Sequence, residues 1–179
     1  MPRALIVVDF QNDFTPGGAL GVDGGDAIAP RINELAASGD YDLVVATRDW
    51  HPPAHGSFAQ QGGPWPPHCV QGTPGAELHG ALDRSRIDVV VDKGQDPGTE
   101  GYSGFEATEL ESLLRERGIE EVTVVGLATD YCVKNTALDA LRAGFAVHVD
   151  PEAVRPVEVK PGDGEAALRE VEAAGADVR

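Results

Sequence analysis

The sequence predicts an α/β protein in which a parallel sheet is covered by helices. Two observations carry this reading. Runs of β-branched residues alternate with stretches of helical period along most of the chain, the pattern of strands joined by crossover helices. Three of those runs also end at residues capable of chemistry: Ala4 to Val8 stops at Asp9, Ile87 to Asp92 stops at Lys93, and Val122 to Gly126 stops just short of Cys132. In open α/β sheets, functional groups collect outside the carboxyl ends of the strands. A carboxylate, an ammonium and a thiol at one sheet edge are the parts of a nucleophilic cysteine site.

In chain order, the apolar run over 4–9 is the first strand. A helix over 26–37 follows, with Ile28, Ile32, Leu35 and Ala36 on one face and Gly39 as a left-handed cap. The second strand covers 42–47 and the third 87–92. Between 106 and 117, Leu110, Leu113 and Leu114 define a second helix that ends at Gly118. A strand over 121–126 leads to a helix over about 131–143, which buries Val133, Ala137, Ala140 and Leu141 and stops at Gly144. The last pieces are a strand over 145–149, a helix over about 164–174 ending at Gly175, and a short strand near 176–178. Neither an internal repeat nor an interdomain linker interrupts this alternation.

Length and charge set the bounds. With 179 residues, 41% of them hydrophobic, the chain can bury one substantial core, so residues 1–179 are read as one domain. The net charge of −16 repels phosphate backbones and anionic lipid heads, which argues against nucleic-acid and membrane-surface roles. No apolar stretch approaches the roughly 18 residues of a membrane span, and Asp9 breaks the first apolar run before a signal core could form. A soluble, cytoplasmic protein acting on a small molecule is expected, as a monomer or a homo-oligomer. Cys69 and Cys132 are read as thiols with different roles, because a non-secreted chain of this size needs no disulfide.

Residues 48–86 break the alternation. This segment is dense in Gly, Pro and His, yet it carries Trp50, Phe58, Trp65, Cys69 and Val70, which fits poorly with disorder. A bound metal would hold it. Asp49, His51, His55 and His68 supply one carboxylate and three imidazoles, and residues 49 and 51 of an extended strand exit point to the same side. Such a set suits Fe, Mn or Zn as a divalent ion and argues against calcium or magnesium. His79 and His148 are read as an ordinary loop and an ordinary strand residue.

Cys132 is the candidate nucleophile because it lies in the first turn of a helix that follows a strand. There the helix dipole favours a thiolate, and the preceding tight turn offers N–H donors to an oxyanion. Thr129 or Asp130 is expected to cap that helix. Cys69 fits a small buried hydrophobe better. Lys93 is one of only three lysines and follows a strand directly, so it is expected to pair with Asp9 at the sheet edge.

These residues sit in segments that carry a resemblance. Ile6-Val7-Val8-Asp9-Phe10-Gln11-Asn12-Asp13-Phe14, Thr47-Arg48-Asp49-Trp50-His51-Pro52, Trp65-Pro66-Pro67-His68-Cys69-Val70, Lys93-Gly94, Tyr102-Ser103-Gly104-Phe105 and Gly126-Leu127-Ala128-Thr129-Asp130-Tyr131-Cys132-Val133 resemble the nicotinamidases, also called pyrazinamidases, of the isochorismatase-like cysteine hydrolases. The resemblance covers nearly the whole chain, although the tail beyond about Val154 adds little. It implies a doubly wound, mostly parallel six-stranded sheet with helices on both faces, and hydrolysis of nicotinamide to nicotinate and ammonia in NAD salvage. By position it implies Asp9, Lys93 and Cys132 as the triad, and Asp49, His51, His55 and His68 as ligands of one divalent metal that takes the ring nitrogen. It further implies a cis peptide before Ala128, an oxyanion hole from the N–H groups of Ala128 and Cys132, and a ring pocket walled by Phe14, Trp65, Tyr102 and Leu127. Two rivals remain at this point. A hydrolase of another small amide or carbamoyl compound has no evident use for the histidines. A thiol redox module pairing Cys69 with Cys132 leaves Lys93 unexplained.

Overall fold

The computed structural model describes residues 1–179. Its six-stranded sheet contains β1 (Arg3–Val8), β2 (Leu43–Asp49), β3 (Val89–Lys93), β4 (Glu121–Leu127), β5 (Ala146–Arg155) and β6 (Asp177–Val178). The order is β3-β2-β1-β4-β5-β6, and every pairing is parallel. The sheet is thus fully parallel rather than mostly so. Strand order reverses between β1 and β4, the point where doubly wound sheets open a crevice for ligands.

The side-chain period of two splits β1 between both faces. Ala4, Ile6 and Val8 pack on one side under α2 (Leu110–Glu116), α3 (Lys134–Arg142) and α4 (Asp163–Ala173). Leu5 and Val7 pack on the other side under α1 (Ala29–Ala37) and the irregular segment between β2 and β3, through Cys69, Ala76, Leu78 and Leu82. That segment therefore does the covering work of a helix. Cys69 and Cys132 belong to opposite faces of the sheet, and both are free thiols. A redox pair between them has no support in this arrangement.

Three boundaries depart most from the expectation. β5 runs on to Arg155, past a register irregularity at which residues 150–153 face only Val125 of β4. Pro151 sits in this bulge, where no ladder N–H is required of it. The second helix begins at Leu110 instead of 106, because Ala107 has a left-handed φ of 54° and Thr108 takes the amide of Leu110 on its hydroxyl. The helix expected from 131 opens with a wide, π-type turn over Thr129–Val133 and becomes α-helical only at Lys134. Neither Thr129 nor Asp130 caps it by a side chain. No helix is long and apolar enough to cross a membrane.

Candidate active site

The carboxyl ends of the four neighbouring strands β3, β2, β1 and β4 deliver the predicted residues to one place. Asp49 and Lys93 are register partners at the ends of β2 and β3, so their side chains leave the sheet together. Asp9 follows β1 directly with a left-handed φ of 48°, a conformation that Asp tolerates better than most residues. Its carboxylate is steadied by the Thr47 hydroxyl, which donates to Oδ1 at 2.8 Å. Gly126 lets β4 come close to β1, since a Cβ there would lie 2.1 Å from the Val8 carbonyl oxygen.

Lys93 is the centre of the arrangement. Fully buried, its Nζ lies 2.8 Å from Asp9 Oδ2, 2.5 Å from Asp49 Oδ1 and 3.5 Å from Cys132 Sγ, and it donates to the Gly101 carbonyl at 2.5 Å. Burial works against the ammonium, but Asp49, Asp9 and Cys132 outweigh it and hold the Lys93 pKa well above its ordinary value. Burial pushes the Asp9 carboxyl up to about 6, even against the pull of Lys93. Asp49 is also desolvated, yet Lys93 and His51 keep it below the usual carboxylate range. For Cys132, burial and the nearby carboxylates of Asp9 and Asp49 overcome Lys93 and push the thiol well up. The thiolate expected from the helix terminus is therefore not the resting form. Near neutral pH the site holds a thiol, an ammonium and an ionised Asp9 placed to take the thiol proton.

The three histidines meet the other oxygen of Asp49. His51 Nε2 is 3.2 Å and His68 Nε2 is 3.9 Å from Asp49 Oδ2. His55 stacks on His51 with ring centroids 3.9 Å apart, and its buried Nε2 has no hydrogen-bond partner. Each Nδ1 faces an outer oxygen: His51 that of Gly94 at 2.7 Å, His55 that of Ser57 at 2.7 Å, and His68 that of Pro66 at 2.8 Å. The carbonyls facing His51 and His68 only accept, so they fix the tautomer in which Nε2 is the ligand atom, whereas the His55 Nδ1 also accepts the Ser57 amide at 3.2 Å. Burial lowers the pKa of His55 to about 4 and also lowers that of His68, which favours neutral, ligating imidazoles. His51 shifts the other way: burial opposes its charge, but Asp49 raises it. Asp49, His51 and His68 place one donor atom each within 4.8 Å of one another, while His55 lies beside that group. Three imidazole nitrogens with one carboxylate, one nitrogen orphaned, fit a divalent transition metal.

A cavity of about 270 Å³ opens onto both sets of residues. Its floor holds Asp49, His68, Ala128 and Cys132, and Phe14, Trp65 and Tyr102 line it as expected. Leu127 does not. It is fully buried in the core on the α1 face, and Ala128, joined to it by a cis peptide, faces the cavity instead. The Ala128 carbonyl accepts the amides of Tyr131 and Val133, on either side of Cys132. Cys69 is buried at left-handed φ with a raised thiol pKa, largely from burial, and takes no part in the cavity. His79 packs edge-on against Phe10, and His148 faces the Arg179 carbonyl, so both are the ordinary residues expected of them.

Several contributors escaped the sequence reading. Tyr131 completes an aromatic wall with Trp65 at 5.3 Å and Tyr102 at 5.6 Å, and its place beside Cys132 was the available signal. Gln11 grips the backbone of Asp49 through both its N–H and its C=O, and also donates to the Ala76 carbonyl. Phe58 backs all three imidazoles. Leu20 and Val157 line the cavity without any local pattern to announce them.

The chain matches the isochorismatase domain family over residues 3–179. It is 52% identical to the nicotinamidase/pyrazinamidase of Mycobacterium tuberculosis, over 82% of this chain and 83% of that one. The zinc complex of the pyrazinamidase of Pyrococcus horikoshii superposes with a TM-score of 0.92 at 48% identity, covering 100% of this chain and 99% of the other. PnC1 from L. infantum, solved in complex with nicotinate, gives a TM-score of 0.94 at 40% identity over 99% of this chain and 92% of its own. A match along essentially the full length, with the sheet, the buried ammonium and the histidine cluster in place, means that this chain belongs to the isochorismatase family.

Proposed function

We propose that the protein is a metal-dependent cysteine amidohydrolase, a single domain over residues 1–179, that converts nicotinamide to nicotinate and ammonia in the NAD salvage of the cytoplasm. Pyrazinamide is its expected second substrate. The observation that carries this reading is Asp49, whose Oδ1 accepts from Lys93 while Oδ2 faces His51 and His68. One carboxylate thereby joins a nucleophile site to a metal site across a cavity of a size suited to a single aromatic ring.

In the reaction, Asp9 takes the Sγ proton as Cys132 attacks the carboxamide carbon. The N–H groups of Ala128 and Cys132 hold the oxyanion. Asp9 returns the proton to the departing ammonia, then deprotonates the water that cleaves the thioester and frees nicotinate and the thiol. Throughout, Lys93 keeps Asp9 and the sulfur in one geometry and offsets the negative charge that passes between them. Asp49, His51, His55 and His68 would hold a divalent ion, Zn, Fe or Mn, which when bound supplies a Lewis-acidic partner for the ring nitrogen. Phe14, Trp65, Tyr102 and Tyr131 enclose the ring. A hydrolase of another small amide would leave the three Nε2 atoms without a role.

Ammonia release from nicotinamide, pyrazinamide and benzamide, with metal analysis of the same sample, tests this reading. Nicotinamide and pyrazinamide should turn over, and benzamide, which lacks the ring nitrogen, should be at least about 100-fold poorer in kcat/KM. Cys132→Ala should abolish turnover, while Cys69→Ala keeps most of it. Equal rates on benzamide and nicotinamide, or full activity in a verified metal-free sample, would overturn the assignment.

A further inference from the structure

The geometry points to Asp130 as a positioning residue that clasps a roof loop, with Val157 at its tip, over the mouth of the cavity. Asp130 lies in the same turn as Cys132, and its side chain is buried without a cationic partner. Both carboxylate oxygens face one short stretch of backbone: Oδ1 accepts the Val157 amide and Oδ2 the Glu158 amide, each at 2.9 Å. No other hydrogen bond holds residues 156–159. Glu158 has a left-handed φ of 54°, which is costly for a residue with a long side chain and needs external support. The loop is anchored at its ends by β5 and by α4, where Pro156 packs against Gly164 so closely that a Cβ there would lie 2.6 Å from Pro156 Cβ. Between these anchors the carboxylate is its only tie.

What the tie holds in place is part of the cavity wall. Val157 lines the cavity yet is 38% exposed, and it shares the mouth with the exposed Ala19 and Gly21, opposite the buried floor of Cys132, Ala128, Asp49 and His68. A ring bound with its reacting carbon at Cys132 therefore presents its far edge to Val157. Charge-assisted bonds from one carboxylate to two successive amides are strong and directional, so they set how closely Val157 covers that edge. Because Asp130 stands two residues from Cys132, roof and nucleophile are carried by one rigid turn. The inference rests on the reading of this cavity as the amide-binding pocket.

Site-resolved amide hydrogen exchange with steady-state kinetics tests it. In the parent protein the Val157 and Glu158 amides should exchange more slowly than that of Val159, which has no partner. Asp130→Asn should speed exchange at 157 and 158 by about tenfold or more. It should also raise KM for nicotinamide about tenfold, with kcat changing by less than about threefold. Val157→Ala should raise KM while both amides stay protected, which keeps the test alive should Asp130→Asn fail to fold. Rapid exchange at 157 and 158 in the parent, or an unchanged KM in Val157→Ala, would overturn the inference. Exchange is read without substrate, so a lack of nicotinamide turnover alongside protected amides would count against the amidohydrolase reading and not against the clasp.

Discussion

At the scale of single residues, Lys93 explains most of the electrostatics. Burying an ammonium alone is prohibitive, and burying two carboxylates and a thiol side by side is no cheaper. Placed together, with the cation in contact with all three, each group tolerates the site because the others are there. Asp9 shows the balance: burial lifts its pKa to about 6, and Lys93 is what prevents a larger rise. In the proposed reaction the base form of Asp9 is the active one, so kcat/KM should fall as pH drops through about 6. Lys93→Met keeps the aliphatic stem and removes the charge. It should leave a folded protein with kcat lowered by about 10³ or more, and the acid limb of its residual activity should move upward, since the group that lowered the Asp9 pKa is gone. A pH-rate profile of both proteins checks this, and an acid limb unmoved in Lys93→Met would separate Lys93 from Asp9. Asp9, Lys93 and Cys132 were legible in the sequence because strand ends in a parallel sheet converge. Gln11, Thr47 and Asp130 were not, because each acts on a partner 27 to 38 residues or more away, and that proximity exists only once the register is set.

At the scale of elements, the strands and helices were legible wherever a periodic apolar face met a left-handed glycine, as at Gly39, Gly118, Gly144 and Gly175. They were misread where local chemistry masks the pairing, as when Pro151 hides the continuation of β5 inside a bulge. The segment between β2 and β3 is the instructive case. It covers a sheet face with three 3-10 turns and no α-helix, so the order that a helix obtains from its own ladder must come from elsewhere. Side chains at the end of β1 supply it. Gln11 meets Asp49 and Ala76, Asn12 donates to the Pro74 carbonyl, and Asp13 accepts the Cys69 amide. Gln11→Ala leaves three buried backbone groups without partners. At about 1–3 kcal/mol for an unsatisfied buried group, and without full additivity, it should cost about 2–4 kcal/mol of stability. Because Asp49 is one of the groups released, the variant should also lose its metal to a chelator faster than the parent. Urea denaturation and timed metal release measure the two effects, and a stable variant that holds its metal normally would mean that the histidine cluster organises the segment alone.

At the scale of the whole molecule, the surface is divided between two opposing effects of ionic strength. With 30 acidic and 14 basic residues, even complete pairing leaves 16 negative charges unpaired. Most of the ion pairs present are exposed, such as Arg115 with Glu111, Arg142 with Asp139 and Arg169 with Glu165, and pairs of this kind contribute only about 0–1 kcal/mol each. Salt weakens these pairs, but it also relieves the repulsion among the excess carboxylates, which acts over many more distances than any single contact. The Debye length shrinks from about 30 Å at 0.01 M to about 10 Å at 0.1 M, so long-range repulsion across the molecule is the first thing to be screened. The excess decides the sign: Tm should rise by several degrees between about 0.01 M and 0.5 M NaCl, most of it at the low end. Lys93, Asp9 and Asp49 are shielded from solvent by burial, and nicotinamide is neutral, so kcat/KM should stay nearly constant over the same range. Thermal unfolding and kinetics on one salt series, repeated with choline chloride to separate screening from specific cation binding, read both quantities. A Tm that falls with salt would mean that the exposed pairs outweigh the net charge, and a rise in sodium but not in choline would replace general repulsion with a bound cation.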